Sequence, residues 1–145
     1  MAITIVLWKN VGCTLHLRKG GIRVSRKKVL VVEDSADWHK IWRDQLDGQV
    51  LIISALTVQE GERMFMEHPD FCAIVMDACV PGHTPTTLFL TSEIRETFQG
   101  PMIAVSSISE YREELVEAGC NHSCPKEDLS RRLMEILHLE PVHAH

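Results

Sequence analysis

No apolar run in this 145-residue chain approaches the roughly 20 residues needed to cross a bilayer. The opening Ile3-Thr4-Ile5-Val6-Leu7-Trp8 stops at Lys9, too short for the core of a signal peptide. Contact with a membrane is therefore not expected, and a cytoplasmic location is. The five cysteines (Cys13, Cys72, Cys79, Cys120 and Cys124) are odd in number and lack paired spacing, which argues against a disulfide framework and for a reducing compartment. Cys120-Asn121-His122-Ser123-Cys124 has no second ligand pair at a zinc-site spacing, and His143-Ala144-His145 reads as a frayed terminus. Neither is expected to hold a metal. Internal repeats and low-complexity tracts are absent too. Residues 1–28 contain no acid, only Lys9, Arg18, Lys19, Arg23, Arg26, Lys27 and Lys28, so the remainder sets all 20 acids against 8 bases. A basic arm on an acidic body permits contact with nucleic acid or an acidic protein, but a solvated leader is the preferred reading.

What is present fits one compact domain. Val29-Leu30-Val31-Val32 is a continuous apolar run of the kind buried on both faces of a parallel sheet. Residues 35–46 follow with Trp38, Ile41, Trp42 and Leu46 at helical spacing. Val50-Leu51-Ile52-Ile53 is a second strand, and Thr57-Val58-Gln59-Glu60 is a capping box opening a helix that ends near His68-Pro69. Residues 71–76 form a third strand ending at Asp77, a helix is expected from Thr86 to Phe98, and 102–105 form a fourth strand. Ser107-Ile108-Ser109-Glu110 reads as another capping box, with its helix closed at Gly119. A short fifth strand near 121–124 precedes a last helix from Asp128 to His138. Alternation of this kind predicts an α/β doubly wound parallel sheet, with sites at the carboxyl ends of the strands. The expected organisation is a basic leader at 1–27 (a small hairpin or disordered), a domain at 28–138 and a short tail at 139–145.

Glu33 and Asp34 end the first predicted strand, Asp77 the third and Ser106 the fourth, and Lys126 follows the fifth. In a parallel sheet these ends share one edge, so three carboxylates converge there. Such convergence costs free energy unless a cation offsets it, and oxygen donors alone suit Mg²⁺. Each residue taken singly has a plainer reading: first-turn acids of a helix for Glu33-Asp34, a turn residue for Asp77, a solvated surface lysine for Lys126.

Four stretches in order, Val29–Asp34, Ile74–Gly82, Pro101–Ser107 and Ala118-Gly119-Cys120 running to Pro125-Lys126, resemble the response-regulator receiver family over about residues 28–138. The resemblance implies a flavodoxin-like sheet of five parallel strands flanked by five helices. It implies Asp77 as phosphoacceptor, and Mg²⁺ held by Glu33, Asp34, Asp77 and the backbone carbonyl of Cys79. Lys126 and Ser106 are then the phosphoryl-binding and switch residues. The chain departs from the family at Ser123, where an aromatic is common, at Glu127, where proline usually follows the lysine, and at His83-Thr84-Pro85. These departures bear on the readout more than on acceptance of the phosphoryl group.

The function so implied is a single-domain response regulator of a phosphorelay, not an enzyme beyond any autodephosphorylation. Its expected partners are a histidine kinase or histidine phosphotransfer protein and a downstream protein bound through residues 108–138. The seven residues after His138 leave no room for an effector domain, and nucleic acid is not an expected partner. The alternative is a pseudo-receiver, an interaction module that has lost phosphorylation control. An aspartyl-phosphate phosphatase would want an acid two residues after the nucleophile, and Cys79 stands there.

Overall fold

The strand β4 (Lys27–Val32) is paired with a neighbouring strand on both sides, and its period-two alternation divides the core. In this computed structural model residues 26–68 and 70–139 are described in full. Of the first 25 residues the backbone of three short strands is described: β1 (Ile3–Val6), β2 (Thr14–Arg18) and β3 (Gly21–Val24). These three pair antiparallel in the order β1-β2-β3. Trp8, Cys13 and His143-Ala144-His145 lie outside the described residues.

After β4 come α1 (Ala36–Gln45), β5 (Val50–Ala55), α2 (Val58–Glu67), β6 (Ala73–Asp77), α3 (Leu88–Arg95), β7 (Met102–Val105), α4 (Ser109–Ala118), β8 (His122–Cys124), a 3₁₀ turn (Lys126–Asp128) and α5 (Leu129–Ile136). The second sheet has five strands in the order β5-β4-β6-β7-β8, all parallel. The strand order reverses between β5 and β6, on either side of β4. A crevice opens at such a point beyond the carboxyl ends of the strands.

Each strand of the centre reads apolar throughout because both of its faces are covered. Val29 and Val31 face α1 and α5, in a cluster with Trp42, Leu46, Val75, Ile103, Leu129 and Leu133. Leu30 and Val32 face the other way, in a cluster with Ile74, Met76, Leu90, Ile94, Ala104 and Leu115. The four residues Val29 to Val32 are fully buried, which contributes about 2 kcal/mol per side chain relative to exposure. Helix α2 can lie close to the sheet because Gly61 faces it: a Cβ there would stand 3.0 Å from Val32 Cγ2 and 3.1 Å from Leu90 Cδ2.

Several expected elements differ in detail. Ile41 is exposed rather than on the packed face of α1, whereas Trp42 is wholly buried and stacks on Trp38 at 5.3 Å between centroids. Helix α3 begins at Leu88, not Thr86, because the Thr86 and Thr87 hydroxyls bond the loop that follows β6. The box at Ser107–Glu110 does not form; Ile108 is the N-cap of α4, with its N–H given to Ser106 Oγ at 3.1 Å. The last helix starts one residue later than expected, at Leu129, with Asp128 closing the 3₁₀ turn Lys126–Asp128 that precedes it. The box at Thr57 does form in part: Thr57 Oγ1 accepts from Glu60 N, and Glu60 Oε2 accepts from Leu56 N.

Helix α4 ends at Gly119, whose φ of 143° is rarely adopted by L side chains and whose Cβ would meet Arg95 Cβ at 2.8 Å. Arg95 donates to the carbonyls of Gly119, Phe98 and Gly100, so a shift there strains three backbone contacts. Gly119→Ala is expected to destabilise the fold by roughly 1–3 kcal/mol. Urea unfolding should show a lower midpoint with an unchanged slope; an unchanged midpoint contradicts this packing.

Candidate functional site

Glu33 and Asp34 follow the last residue of β4, and Asp77 ends β6 in the neighbouring strand. Adjacent parallel strands in register bring these residues side by side, and one carboxylate oxygen from each of the three lies within 4.8 Å of the others. Glu33 is fully buried and Asp77 nearly so, while Asp34 is exposed. Lys126 enters from beyond β8: its Nζ stands 2.8 Å from Glu33 Oε2 and 3.5 Å from Asp77 Oδ1. Asp34, Asp77, Cys79, Ser106 and Lys126 line one cavity of about 190 Å³, together with Gly82, His83, Ser107, Ile108 and Tyr111. The residues expected at the site are thus brought together, with Glu33 beneath the cavity.

Several contacts keep them there. The buried Trp42 indole donates to the Lys126 carbonyl at 3.2 Å, so α1 fixes the lysine turn, and Glu127 in place of proline does not displace the ammonium. Ser35 N–H donates to Glu33 Oε1 at 3.1 Å. His39 Nε2 donates to the Glu33 carbonyl at 2.7 Å; burial lowers its pKa, so the ring is neutral and its second nitrogen, Nδ1, is buried without a hydrogen-bond partner. Thr87 Oγ1 donates to the carbonyl of Asp77 at 2.7 Å, and Thr86 N–H to that of Ala78 at 2.8 Å. Thr86 Oγ1 also accepts from Val80 N–H at 2.8 Å. Tyr111 Oη donates to the His83 carbonyl at 3.1 Å, tying this loop to α4.

The threonine clamp, His39 and Tyr111 were not singled out from the sequence. Their effect depends on side chain to backbone bonds across the fold, which leave no periodic trace. One signal was available: Thr86-Thr87 directly precedes the helix, at positions where hydroxyl side chains often bond backbone.

The electrostatics are those of a site short of positive charge. Burial, then the charge of Glu33, pushes Asp77 up to about 7, against the pull of Lys126. Burial alone would lower the Lys126 ammonium, but its bonds and ion pairs with Glu33 and Asp77 outweigh that and raise it. Burial, then Asp77, raises the Cys79 thiol, which keeps it a neutral SH and a poor metal ligand through sulfur. Glu33 Oε2 is buried and, although ion-paired to Lys126, has no well-directed hydrogen bond. An oxygen donor set with surplus negative charge and an under-bonded buried carboxylate fits a hard divalent cation such as Mg²⁺.

Asp77 ionises near pH 3.8 when unperturbed and near 7 in the folded site. Between those values the native state holds the extra proton, so its stability falls as pH rises. In metal-free protein Asp77→Asn is therefore expected to be more stable than wild type near pH 8, by on the order of 2–4 kcal/mol. The gap should narrow towards about pH 5 in urea unfolding curves. Equal stability of the two proteins at both pH values contradicts the crowding of charge at this site.

No protein-family model and no curated protein matches this chain in sequence. Solved structures do match it in fold. A two-component response regulator from Clostridium difficile aligns with a TM-score of 0.66 at 15% identity, over 78% of this chain and 97% of that one. The Vibrio cholerae chemotaxis protein CheY4 aligns with a TM-score of 0.64 at 20% identity, over 77% of this chain and 99% of that one. The receiver domain of Saccharomyces cerevisiae Ssk1, crystallised with the histidine phosphotransfer protein Ypd1, aligns with a TM-score of 0.63 at 20% identity, over 77% and 88% of the two chains. Five parallel strands in one sheet with five helices around them, neighboured by such structures, give this chain the fold of the CheY-like response-regulator receiver domains.

Proposed function

We propose that this chain is a single-domain response regulator that accepts a phosphoryl group on Asp77 in a Mg²⁺-dependent reaction and signals by protein–protein contact. The observation that carries the proposal is the position of Asp77. It is a nearly buried carboxylate at the carboxyl end of the central β6, open to a cavity and flanked by two further carboxylates and one lysine. A structural ion pair would not need three acids for one base.

In this reading an Asp77 carboxylate oxygen attacks the phosphorus of a phosphohistidine or a small acyl phosphate. An O–P bond forms as the P–N or P–O bond to the donor breaks, and the electron pair leaves with the donor's nitrogen or oxygen. Glu33, Asp34, Asp77 and the Cys79 carbonyl would hold Mg²⁺, which when bound supplies positive charge to the carboxylates and phosphoryl oxygens. Lys126 is already within ion-pair reach of Asp77, so it can turn from Glu33 to an incoming phosphoryl oxygen without a large movement. The Ser106 hydroxyl accepts a bond from Ile108 N–H, which leaves its proton to donate to another phosphoryl oxygen.

A histidine kinase or histidine phosphotransfer protein is the proposed donor, supported by the similar Ssk1 domain having been crystallised with such a protein. The proposed output face is residues 108–138, which adjoin the Ser106 end of the cavity. Among the described residues no helix is long and apolar enough to cross a membrane, and a cytoplasmic location is proposed with the function.

Incubation with Mg²⁺ and acetyl phosphate should add a phosphate-sized increment to the intact mass. The increment should be absent from Asp77→Asn and from protein treated with EDTA. Lys126→Ala should slow its appearance about tenfold or more, because the lysine contact strengthens as charge moves onto the phosphoryl group. An increment that persists in Asp77→Asn would place the acceptor elsewhere. A folded wild type with no increment, and no response to beryllofluoride, would leave the fold as an interaction module only.

A further inference from the structure

Two cavities are lined in part by residues at the start of α4. One is the acceptor pocket, lined by Ser106 and Ile108; the other is a groove of about 400 Å³ between α4 and β8, lined by Ser109, Arg112, Glu113, Val116, Glu117 and Ser123. One side chain reaches from the groove to a residue of the pocket. Arg112, on the first turn of α4, forms part of the groove wall, and its Nη1 donates to the Ser106 carbonyl at 2.6 Å.

Ser106 is nearly buried, at 5% exposure, and follows β7, which is paired with β6 on one side and β8 on the other. Its hydroxyl lies at the pocket and its carbonyl is held by the guanidinium, so hydroxyl and carbonyl of one residue serve the two cavities. A charge-assisted bond is roughly twice as strong as a neutral one and keeps a planar guanidinium in a set orientation. If the hydroxyl is drawn towards a group on Asp77, the Ser106 peptide turns and the guanidinium must follow it or lose its acceptor. Room for that movement exists because Ser123, across the groove and paired with Ala104 in β7, is small.

We infer that Arg112 is a positioning residue that couples occupancy of the acceptor pocket to the shape of the groove between α4 and β8. The inference rests on the proposed phosphoacceptor site and names the residue through which that site is read. It gives the chain a mechanical link of its own where Ser123 supplies no bulky side chain to move. By linkage, a ligand in the groove that holds Arg112 would in turn change the affinity of the pocket.

The test uses the full chain with Mg²⁺ and beryllofluoride as the probe, comparing wild type, Arg112→Met and Arg112→Lys by amide NMR. Arg112→Met keeps an apolar stem and removes the donor; Arg112→Lys keeps a donor and the charge. In the wild type, amides of Val116, Glu117 and Ser123 should shift together with those of Asp77, Ser106 and Lys126. In Arg112→Met the groove shifts should fall to about half or less, with beryllofluoride affinity changed by less than about threefold and the thermal midpoint close to wild type. Arg112→Lys should restore part of the groove response. Full groove shifts in a folded Arg112→Met, with the pocket responding, overturn the link alone. So does a loss of affinity of about tenfold or more, because the arginine would then serve the pocket itself. A wild type that shows no response overturns the phosphoacceptor reading and this inference together.

Discussion

Three carboxylates converge on the carboxyl edge of the sheet, and a single ammonium answers them. Glu33, Asp34 and Asp77 bring oxygens within 4.8 Å of one another at the ends of adjacent strands, and Lys126 reaches two of the three. Like charges at that distance in a half-buried site oppose folding. A fold that keeps them there holds free energy that a cation can draw on. The rest of the molecule is arranged to hold the edge. Buried strands set the register, the Trp42 indole anchors the lysine turn, and two threonines tie down the loop after Asp77.

The same arrangement separates a rigid layer from a responsive one. Below the site, residues 29–32 and 73–77 are buried strands with both faces packed, and core of this density does not deform gradually. Above it, the contacts are single hydrogen bonds: Tyr111 to the His83 carbonyl, Ser106 to Ile108 N–H, Arg112 to the Ser106 carbonyl. Each contributes on the order of 1 kcal/mol, and one charged group arriving at Asp77 is enough to exchange one of them for another. In the proposed function the chemistry would sit on the packed layer, and any readout would pass through the layer held by single bonds.

Much of this is legible in the sequence. Apolar runs such as Val29–Val32 and Met102–Val105 are legible because strands buried on both faces need no alternation. The proximity of Glu33, Asp34, Asp77, Ser106 and Lys126 is legible because parallel topology puts every strand end on one edge, so order along the chain translates into nearness. What failed did so for local reasons. Thr86 and Thr87 have helix-compatible neighbours, yet their hydroxyls were drawn to the loop, and α3 starts later. Ser107 stands three residues before Glu110, but Ser106 took the Ile108 N–H and the box did not form. Ile41 has the spacing of a core residue, whereas the packed face of α1 is set by Trp38 and Trp42. Arg112 and Tyr111 could not be read at all, since each acts on the backbone of a residue in another element.

The claim on which the account depends is that the acidic edge is built for a cation. Mg²⁺ titration of the metal-free protein near pH 7, followed by calorimetry and by tryptophan emission, tests it directly. The account predicts saturable binding at one site with release of protons as the raised Asp77 ionises, and a change in emission transmitted through the Trp42–Lys126 contact. Binding should weaken sharply in Glu33→Gln and in Asp77→Asn. A folded wild type that shows neither heat nor an optical response up to tens of millimolar Mg²⁺ would contradict it.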